Sequence, residues 1–277
     1  MSVVALAPLH PDHQRALRLA VARLERPSFV AALAQYAGSP VDIAIKYLPD
    51  RISSRLRQII KAAIFRCLDA AVDSLEDEDD PGPPAEWTSK LMTGLSGGIG
   101  GFFGMAGLPI ELPLTTALML RSIAEIARAE GEDVKTPETM LACLEVFALG
   151  GGGRSGKAQN LGLEYYATRT VLSSLTRDVG RHMMERGAIN ASTPIIARLV
   201  GEIVSRFGLA VSDRFASGIV PVIGAVSGAT VNMIFMDHFQ QLARGHFTVR
   251  RLEREYGASA IREHYQAAAL ELGRRRL

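Results

Sequence analysis

The sequence has few residues that could form covalent cross-links, because it contains only two cysteines in 277 residues. Cys67 and Cys143 are far apart, and each lies in an apolar pattern with helical spacing. Two such cysteines make no disulfide framework, so we predict small core residues in a protein of a reducing compartment. The first residues, MSVVALAPLHPDHQ, lack the basic segment of a signal peptide. We therefore expect the protein in the cytoplasm or at the inner face of the cell membrane.

The sequence also lacks an excess of charge of either sign. Its formal net charge is +2, and 22% of its residues are charged. Binding to nucleic acid through overall charge needs a basic surface, so we do not expect nucleic acid as a partner. No HExxH motif and no two histidines four residues apart occur in the chain. We therefore predict no metal site and no cofactor.

Nor does any stretch alternate apolar and polar residues for long enough to predict a sheet. Apolar residues instead recur with helical spacing, most regularly between Asp50 and Leu75. The sequence therefore predicts an all-α protein. The polar face of this helix begins basic, with Arg51, Arg55, Arg57, Lys61 and Arg66. Such a face is compatible with contact to anionic lipid, but we favour a solvated face over an ordinary core helix.

An acidic and proline-rich segment, EDEDDPGPPA at residues 76–85, interrupts the helical pattern. It is too polar to bury and too rich in proline to form a helix or a strand. We predict three parts on this basis: an N-terminal helical segment (residues 1–75), the linker (76–85) and a helical domain (86–277).

The most apolar part of the chain runs from Leu91 to Glu130. Its first thirty residues carry one charge, Glu111, and seven glycines fall between Gly94 and Gly107. Glycines four residues apart give a helix a surface that another backbone can approach closely. Because Pro109 and Pro113 flank the single carboxylate, we predict a helix, a break around Glu111 and a second helix.

A second uncharged run, FASGIVPVIGAVSGATVNMIFM, spans Phe215 to Met236. It also contains glycines four apart and a proline, and it also leads into a helix of mixed charge. We predict a multi-helix bundle built around two glycine-rich apolar helical hairpins that pack on each other. The run has the length of a bilayer span, but its polar and glycine residues favour partial insertion over two complete crossings.

These two runs, together with CLEVFALGG between them, resemble the EcsC protein family. The resemblance extends from about Trp87 to Tyr265 and does not include the part before the acidic linker. The family takes its name from a gene beside an ABC transporter, so the resemblance implies a membrane-related context. It implies no catalytic residue.

Two short motifs match catalytic patterns without the context that these patterns need. GLSGG, with Ser96 at its centre, fits the nucleophile elbow of hydrolases, but no strand is predicted before it. GGGRSGK, which ends at Lys157, approaches a phosphate-binding loop, but Ala158 replaces the hydroxyl residue that would hold magnesium. We interpret both as glycine-rich helix or loop.

Polar residues inside or beside the apolar runs are the better candidates for a site. A lone carboxylate in such a run is paired, protonated or exposed to a cavity, or it lies at the start of the helix that follows. A histidine or an asparagine there contacts a ligand or packs against a neighbouring helix. We predict that a ligand or lipid pocket contains Glu111, Gly97, Gly101, Gly104, Asn232, Asp237 and His238.

Two hypotheses follow for the function. The first is a non-enzymatic helical protein that associates with membrane lipid or an apolar ligand and serves a transporter or another envelope protein. The alternative is a soluble α-helical enzyme whose pocket contains Glu111, Asp237 and His238.

Overall fold

The computed structural model describes residues 8–26, 54, 56–67, 104–150, 163–186, 193–219 and 228–276. It describes only the backbone of residues 104–111, 163, 164, 184, 186, 212–219, 228–232 and 276. Within this part of the chain, helices and their connecting turns are present and strands are not, which confirms the predicted all-α fold.

We number the helices of the described residues in chain order. They are α1 (Pro11–Leu24), α2 (residues 56–67), α3 (Gly104–Ala129), α4 (Pro137–Gly150), α5 (Leu163–Arg186), α6 (Pro194–Ile219), α7 (Gly228–Tyr256) and α8 (Ala258–Arg276).

Three helices begin with a proline, at Pro11, Pro137 and Pro194. Proline suits the first helical position, because the amide hydrogen that it lacks would have no partner within the helix. Before α4, Thr136 accepts a hydrogen bond at its side-chain oxygen from the amide of Thr139 at 3.3 Å. A threonine precedes the proline at the starts of α4 and α6, at Thr136 and Thr193, and threonine there is typical of a helix start.

The turn between α3 and α4 depends on Gly131, whose φ of 79° lies in the left-handed region. Its amide donates to the carbonyl of Arg128, and the amide of Glu132 donates to that of Ala127, each at 3.0 Å. These two bonds satisfy the last carbonyls of α3 and turn the chain toward α4.

The predicted break around Glu111 is wrong, because a single helix runs from Gly104 to Ala129 through both prolines. A proline inside a helix removes one hydrogen bond and bends the axis, but packing on neighbouring helices can hold the helix together. The side chains of Leu112, Met119 and Ile123 are buried in the core along this helix. Tertiary packing therefore overrides the local preference of the prolines.

The longest helix, α7, forms the centre of the described bundle. Helix α7 contacts α1, α3, α4 and α6. Most of its side chains from Phe235 to Leu252 are buried, and Phe239 and Phe247 have no exposed surface. The first helix belongs to the same core, since its apolar face (Leu17, Ala20, Val21 and Leu24) is buried. The linker lies outside the described residues, so the division of the chain into three parts stays a prediction.

Helices α3 and α7 run side by side in the same direction. Hydrogen bonds join Ser122 to Gln240, Glu130 to Thr248 and Glu132 to Arg250, and the partners are 118 residues apart in every case. Helix α4 runs in the opposite direction, because Glu138 contacts Arg250 and Gly150 contacts His238. The beginnings of α3 and α7 and the end of α4 therefore share one end of the bundle.

We call this the apolar end and define it as residues 104–120, Gly150 and residues 228–236. The helices that carry parts of the two uncharged runs thus pack against each other. The glycines from Gly94 to Gly101 and residues 220–227 lie outside the described residues, so the two glycine-rich hairpins stay a prediction. None of the described helices has the length and apolar character of a membrane span.

Candidate functional site

Helix α4 contains one charged side chain in a segment that is buried on every side. All residues from Leu141 to Gly150 are buried, and Glu145 among them is 4% exposed. A helix that is buried all round is normally apolar all round, so a carboxyl group at its centre needs compensating contacts.

Helix α7 places His246 opposite this carboxyl group. The imidazole has no exposed surface, and its Nε2 lies 3.9 Å from Oε2 of Glu145. Its Nδ1 lies 3.1 Å from the hydroxyl of Tyr165. Among the described residues, Nε2 of His246 has no hydrogen-bond partner.

Helix α5 supplies the remaining two members of the site. Tyr165 is 1% exposed, and the hydroxyl of Thr176 donates to Oε1 of Glu145 at 2.9 Å. We call Glu145, Tyr165, Thr176 and His246 the buried polar cluster. It joins three helices in the interior, and Glu145, Tyr165 and His246 among its members are buried.

Burial governs the proton affinity of the two titratable groups on α4 and α7. Desolvation raises the pKa of Glu145 to about 7, against the hydrogen bond from Thr176 and the positive charges of Arg169 and Arg250. Desolvation lowers the pKa of His246 well below its usual 6.5, and the same two arginines add to this effect. The carboxyl group therefore carries a proton near neutral pH, and the imidazole is neutral.

A second set of polar contacts surrounds the last turns of α7, and we call it the ion-paired end (Glu130, Glu132, Arg169, Arg250, Arg251, Glu253 and Arg254). Arg250 donates to both oxygens of Glu132, at 2.9 and 3.2 Å, and Arg254 donates to the same carboxylate. Burial by itself would raise the pKa of Glu132, but these hydrogen bonds and charges outweigh burial and lower it.

One arginine of α5, Arg169, is held by a matching pair of bonds at this end. Arg169 donates to Oε1 and Oε2 of Glu253 at 2.7 and 2.6 Å, and the hydroxyl of Tyr166 donates to the same carboxylate at 3.2 Å. Two parallel bonds fix both side chains, so the charge of Arg169 is held close to the buried polar cluster.

A model of the EcsC protein family matches residues 15–252 of the chain. The chain belongs to the EcsC protein family. The match begins in α1, upstream of the resemblance that starts at Trp87, and it contains the whole buried polar cluster. Comparisons with curated proteins and with solved structures find no match.

The EcsC-family bundle places two of the predicted pocket residues in different surroundings. His238 is buried at the apolar end, with its Nε2 3.4 Å from the carbonyl of Gly150. Asp237 is exposed, accepts a hydrogen bond from Gln241 and pairs with Arg26 at 3.5 Å. Successive residues of a helix point about 100° apart, so α7 does not direct these two side chains to one place.

The other predicted pocket residues are placed only in part. Glu111 lies in α3 and Asn232 in α7, where only the backbone is described, and Gly104 is the first residue of α3. Gly97 and Gly101 lie outside the described residues. The predicted pocket therefore stays a prediction.

The sequence contained a signal for Glu145 that our reasoning missed. In MLACLEVFALG the glutamate is the lone charge of an apolar segment, which is the same pattern that drew attention to Glu111. His246 and Tyr165 gave no comparable signal, because their contact with Glu145 depends on how α4, α5 and α7 pack. In the described part of the chain, no group of three or more His, Cys, Asp or Glu residues could hold a metal ion.

Proposed function

We propose that this EcsC-family chain is a non-enzymatic accessory protein of the inner face of the cell membrane. Its apolar end would insert shallowly into the lipid surface, and its polar remainder would stay in water. The observation that carries the proposal is the parallel packing of α3 and α7, which brings residues 104–120 of the first uncharged run and residues 228–236 of the second to one end.

The surface of the apolar end has the composition that interfacial insertion needs. Residues 104–120 contain one charged residue, Glu111, and residues 228–236 contain none. Met233, in the first turns of α7, is 65% exposed. Exposed apolar surface in an uncharged segment favours transfer from water into the boundary of headgroups and acyl chains.

Charged side chains mark where this surface stops. Asp237 pairs with Arg26, and both are about half exposed. On the neighbouring α3, Arg121 pairs with Glu125 and is also partly exposed. Arginine side chains at such a boundary extend their guanidinium groups toward lipid headgroups, which limits insertion to the first turns of each helix.

A link to a transporter or another envelope protein is the second part of the proposal. The gene context that the EcsC resemblance implies supports it. Affinity purification of the chain from detergent-solubilised membranes should recover an envelope protein, and its repeated absence would contradict this part alone.

Vesicle flotation tests the membrane proposal directly. The purified chain should float with vesicles that contain anionic lipid, and Met233→Asp should reduce the bound fraction about tenfold or more, since a carboxylate at insertion depth costs about 2 kcal/mol or more. The matched control is Leu270→Asp, which puts the same charge at a 54% exposed leucine on α8, outside the apolar end. Failure of the unmodified chain to float, or equal floating of both variants, would overturn the proposal.

A further inference from the structure

The buried polar cluster takes no part in the membrane contact proposed above, yet it places two titratable groups in the interior. We propose that Glu145 and His246 form a proton-binding site that holds one proton in the packed bundle and couples the packing of α4 on α7 to pH. The ligand of this site is a proton from water, so its binding requires no other reactant.

The distance between the two groups defines them as one site. Nε2 of His246 and Oε2 of Glu145 are 3.9 Å apart, and the side chains are 0% and 5% exposed. With one proton the pair has no net charge, whichever group holds the proton. With none or two, the pair has a net charge on side chains that are buried, which is costly.

Hydrogen bonds from α5 fix the orientation of both groups. The hydroxyl of Thr176 donates to Oε1 of Glu145, which leaves Oε2 to face the histidine. The hydroxyl of Tyr165 bonds Nδ1 of His246, which leaves Nε2 to face the carboxyl group. Nε2 of His246, which has no hydrogen-bond partner among the described residues, therefore faces Oε2 of Glu145 across the contact of α4 with α7.

The charged surroundings act against a second proton. Arg169 from α5 and Arg250 from α7 both disfavour a charged imidazole. Two carboxylates oppose the arginines, since Glu138 of α4 raises the pKa of Glu145 and Glu253 of α7 raises the pKa of Tyr165. Each carboxylate is hydrogen-bonded to one of the arginines, Glu138 to Arg250 and Glu253 to Arg169. The thiol of Cys143 stays neutral because burial raises its pKa. A second proton is therefore accepted only when α4 and α7 separate.

The sign of the pH dependence follows from the number of protons in each state. Between about pH 4.5 and 6.5 the unfolded pair holds one proton on the imidazole, and the folded pair holds one on the carboxyl group. The pair then contributes no pH dependence to stability. Below this range the unfolded pair gains a second proton. Above it the unfolded pair loses its proton, while the folded pair keeps one up to about pH 7. Stability falls on both sides.

Single substitutions uncouple the two groups and reveal opposite slopes. In Glu145→Gln only the histidine remains, so the equilibrium constant for unfolding should rise up to about tenfold per pH unit as the pH falls from 6.5. In His246→Gln only the carboxyl group remains. The equilibrium constant for unfolding should then rise up to about tenfold per pH unit as the pH increases from 4.5 to about 7.

Denaturant unfolding across this pH range tests the proposal. The control is Val146→Ala, which removes buried volume next to Glu145 without a titratable group and should shift stability equally at every pH. Between about pH 4.5 and 6.5, where the intact pair contributes no pH dependence, the double variant Glu145→Gln, His246→Gln should also follow the pH profile of the control. Parallel profiles for both single variants and the control would overturn the proposal.

Nuclear magnetic resonance on the unmodified chain covers the case in which a variant does not fold. The side-chain carboxyl carbon of Glu145 should titrate near pH 7, and the ring nitrogens of His246 should stay in the neutral form well below pH 6.5. A Glu145 midpoint near 4.5, or a histidine that becomes charged near 6.5, would also overturn it.

Discussion

The two ends of α7 are stabilised by different kinds of contact. At the ion-paired end, Arg250 and Arg254 donate to Glu132, and Arg251 donates to Glu130. Toward the apolar end, four phenylalanine rings form one cluster, with centroid distances from 4.8 to 6.3 Å between neighbouring rings (Phe147, Phe207, Phe235 and Phe239).

The difference bears on the membrane contact that we propose for the apolar end. Charged pairs are directional, and separating them leaves charges without partners, so the ion-paired end is fixed. Apolar packing has no such direction, so apolar side chains can exchange protein neighbours for lipid at little cost. The apolar end is therefore the part of the bundle that we expect to be adaptable.

Glu132 and Glu145, which both contact α7, show the same contrast between ion pairing and burial. Glu132 accepts hydrogen bonds from two arginines, and its pKa is lowered. Glu145 has a threonine and a neutral histidine as neighbours, and burial raises its pKa to about 7. Glu132 is thus held in its charged form beside the last turns of α7, whereas Glu145, further back along the helix, keeps its proton up to about pH 7.

The largest effect should come from the aromatic contacts near the apolar end. Phe239→Ala should lower the free energy of unfolding by about 3–5 kcal/mol, because Phe239 is fully buried among three other rings. Urea unfolding should give the same loss at low and high salt, and Phe239→Leu should cost about 1.5 kcal/mol or less. A loss that disappears in high salt would contradict the contrast between the two ends.

A smaller loss should follow at the ion-paired end. Glu132→Gln should cost about 2 kcal/mol, because Arg250 then loses its charged acceptor while 16% exposed. Because the folded pKa of Glu132 lies below 4.5, its contribution is complete above pH 4.5 and declines as the pH falls through the folded value. Urea unfolding at several pH values measures this.

The matched control for that charge is Glu125→Gln. Its partner Arg121 is on the same helix, and both side chains are more than 40% exposed. This substitution should change stability by about 0.5 kcal/mol or less. Equal losses for Glu125→Gln and Glu132→Gln would show that burial does not distinguish the two pairs.

A pair of glycine substitutions tests how closely α4 approaches α7. A Cβ atom at Gly150 would lie 2.2 Å from the ring of Phe239, so Gly150→Ala should destabilise by about 1–3 kcal/mol. At Gly201, in α6, nothing lies within 4 Å of the added carbon, so Gly201→Ala should stabilise by about 0.5–1 kcal/mol. Thermal unfolding measures both. The same sign for both changes would contradict the close approach at Gly150.

The sequence predicts those features of the fold that depend on residues close together in the chain. The helical spacing of apolar residues is a pattern of residues three and four apart, and the structure confirms the all-α fold that it predicts. The break at Pro109 and Pro113 was also a local prediction, and it failed because packing along the whole of α3 compensates for the missing bonds.

The candidate site depends on contacts that the sequence does not disclose. Glu145 and His246 are about a hundred residues apart, and they meet only because α4 runs antiparallel to α7. Tyr165 and Thr176 reach them from a third helix. The isolated charge of Glu145 could have marked it for attention, but its partners could not have been named.

The central claim is that the apolar end is the part of the molecule that meets the membrane. Tryptophan fluorescence with brominated lipids tests it most directly, in a chain whose single tryptophan, Trp87, is replaced by phenylalanine. In Met233→Trp, vesicles should shift the emission to shorter wavelength, and bromine should quench it. In Leu270→Trp, neither should occur. Equal quenching at both positions, or at neither, would contradict the claim.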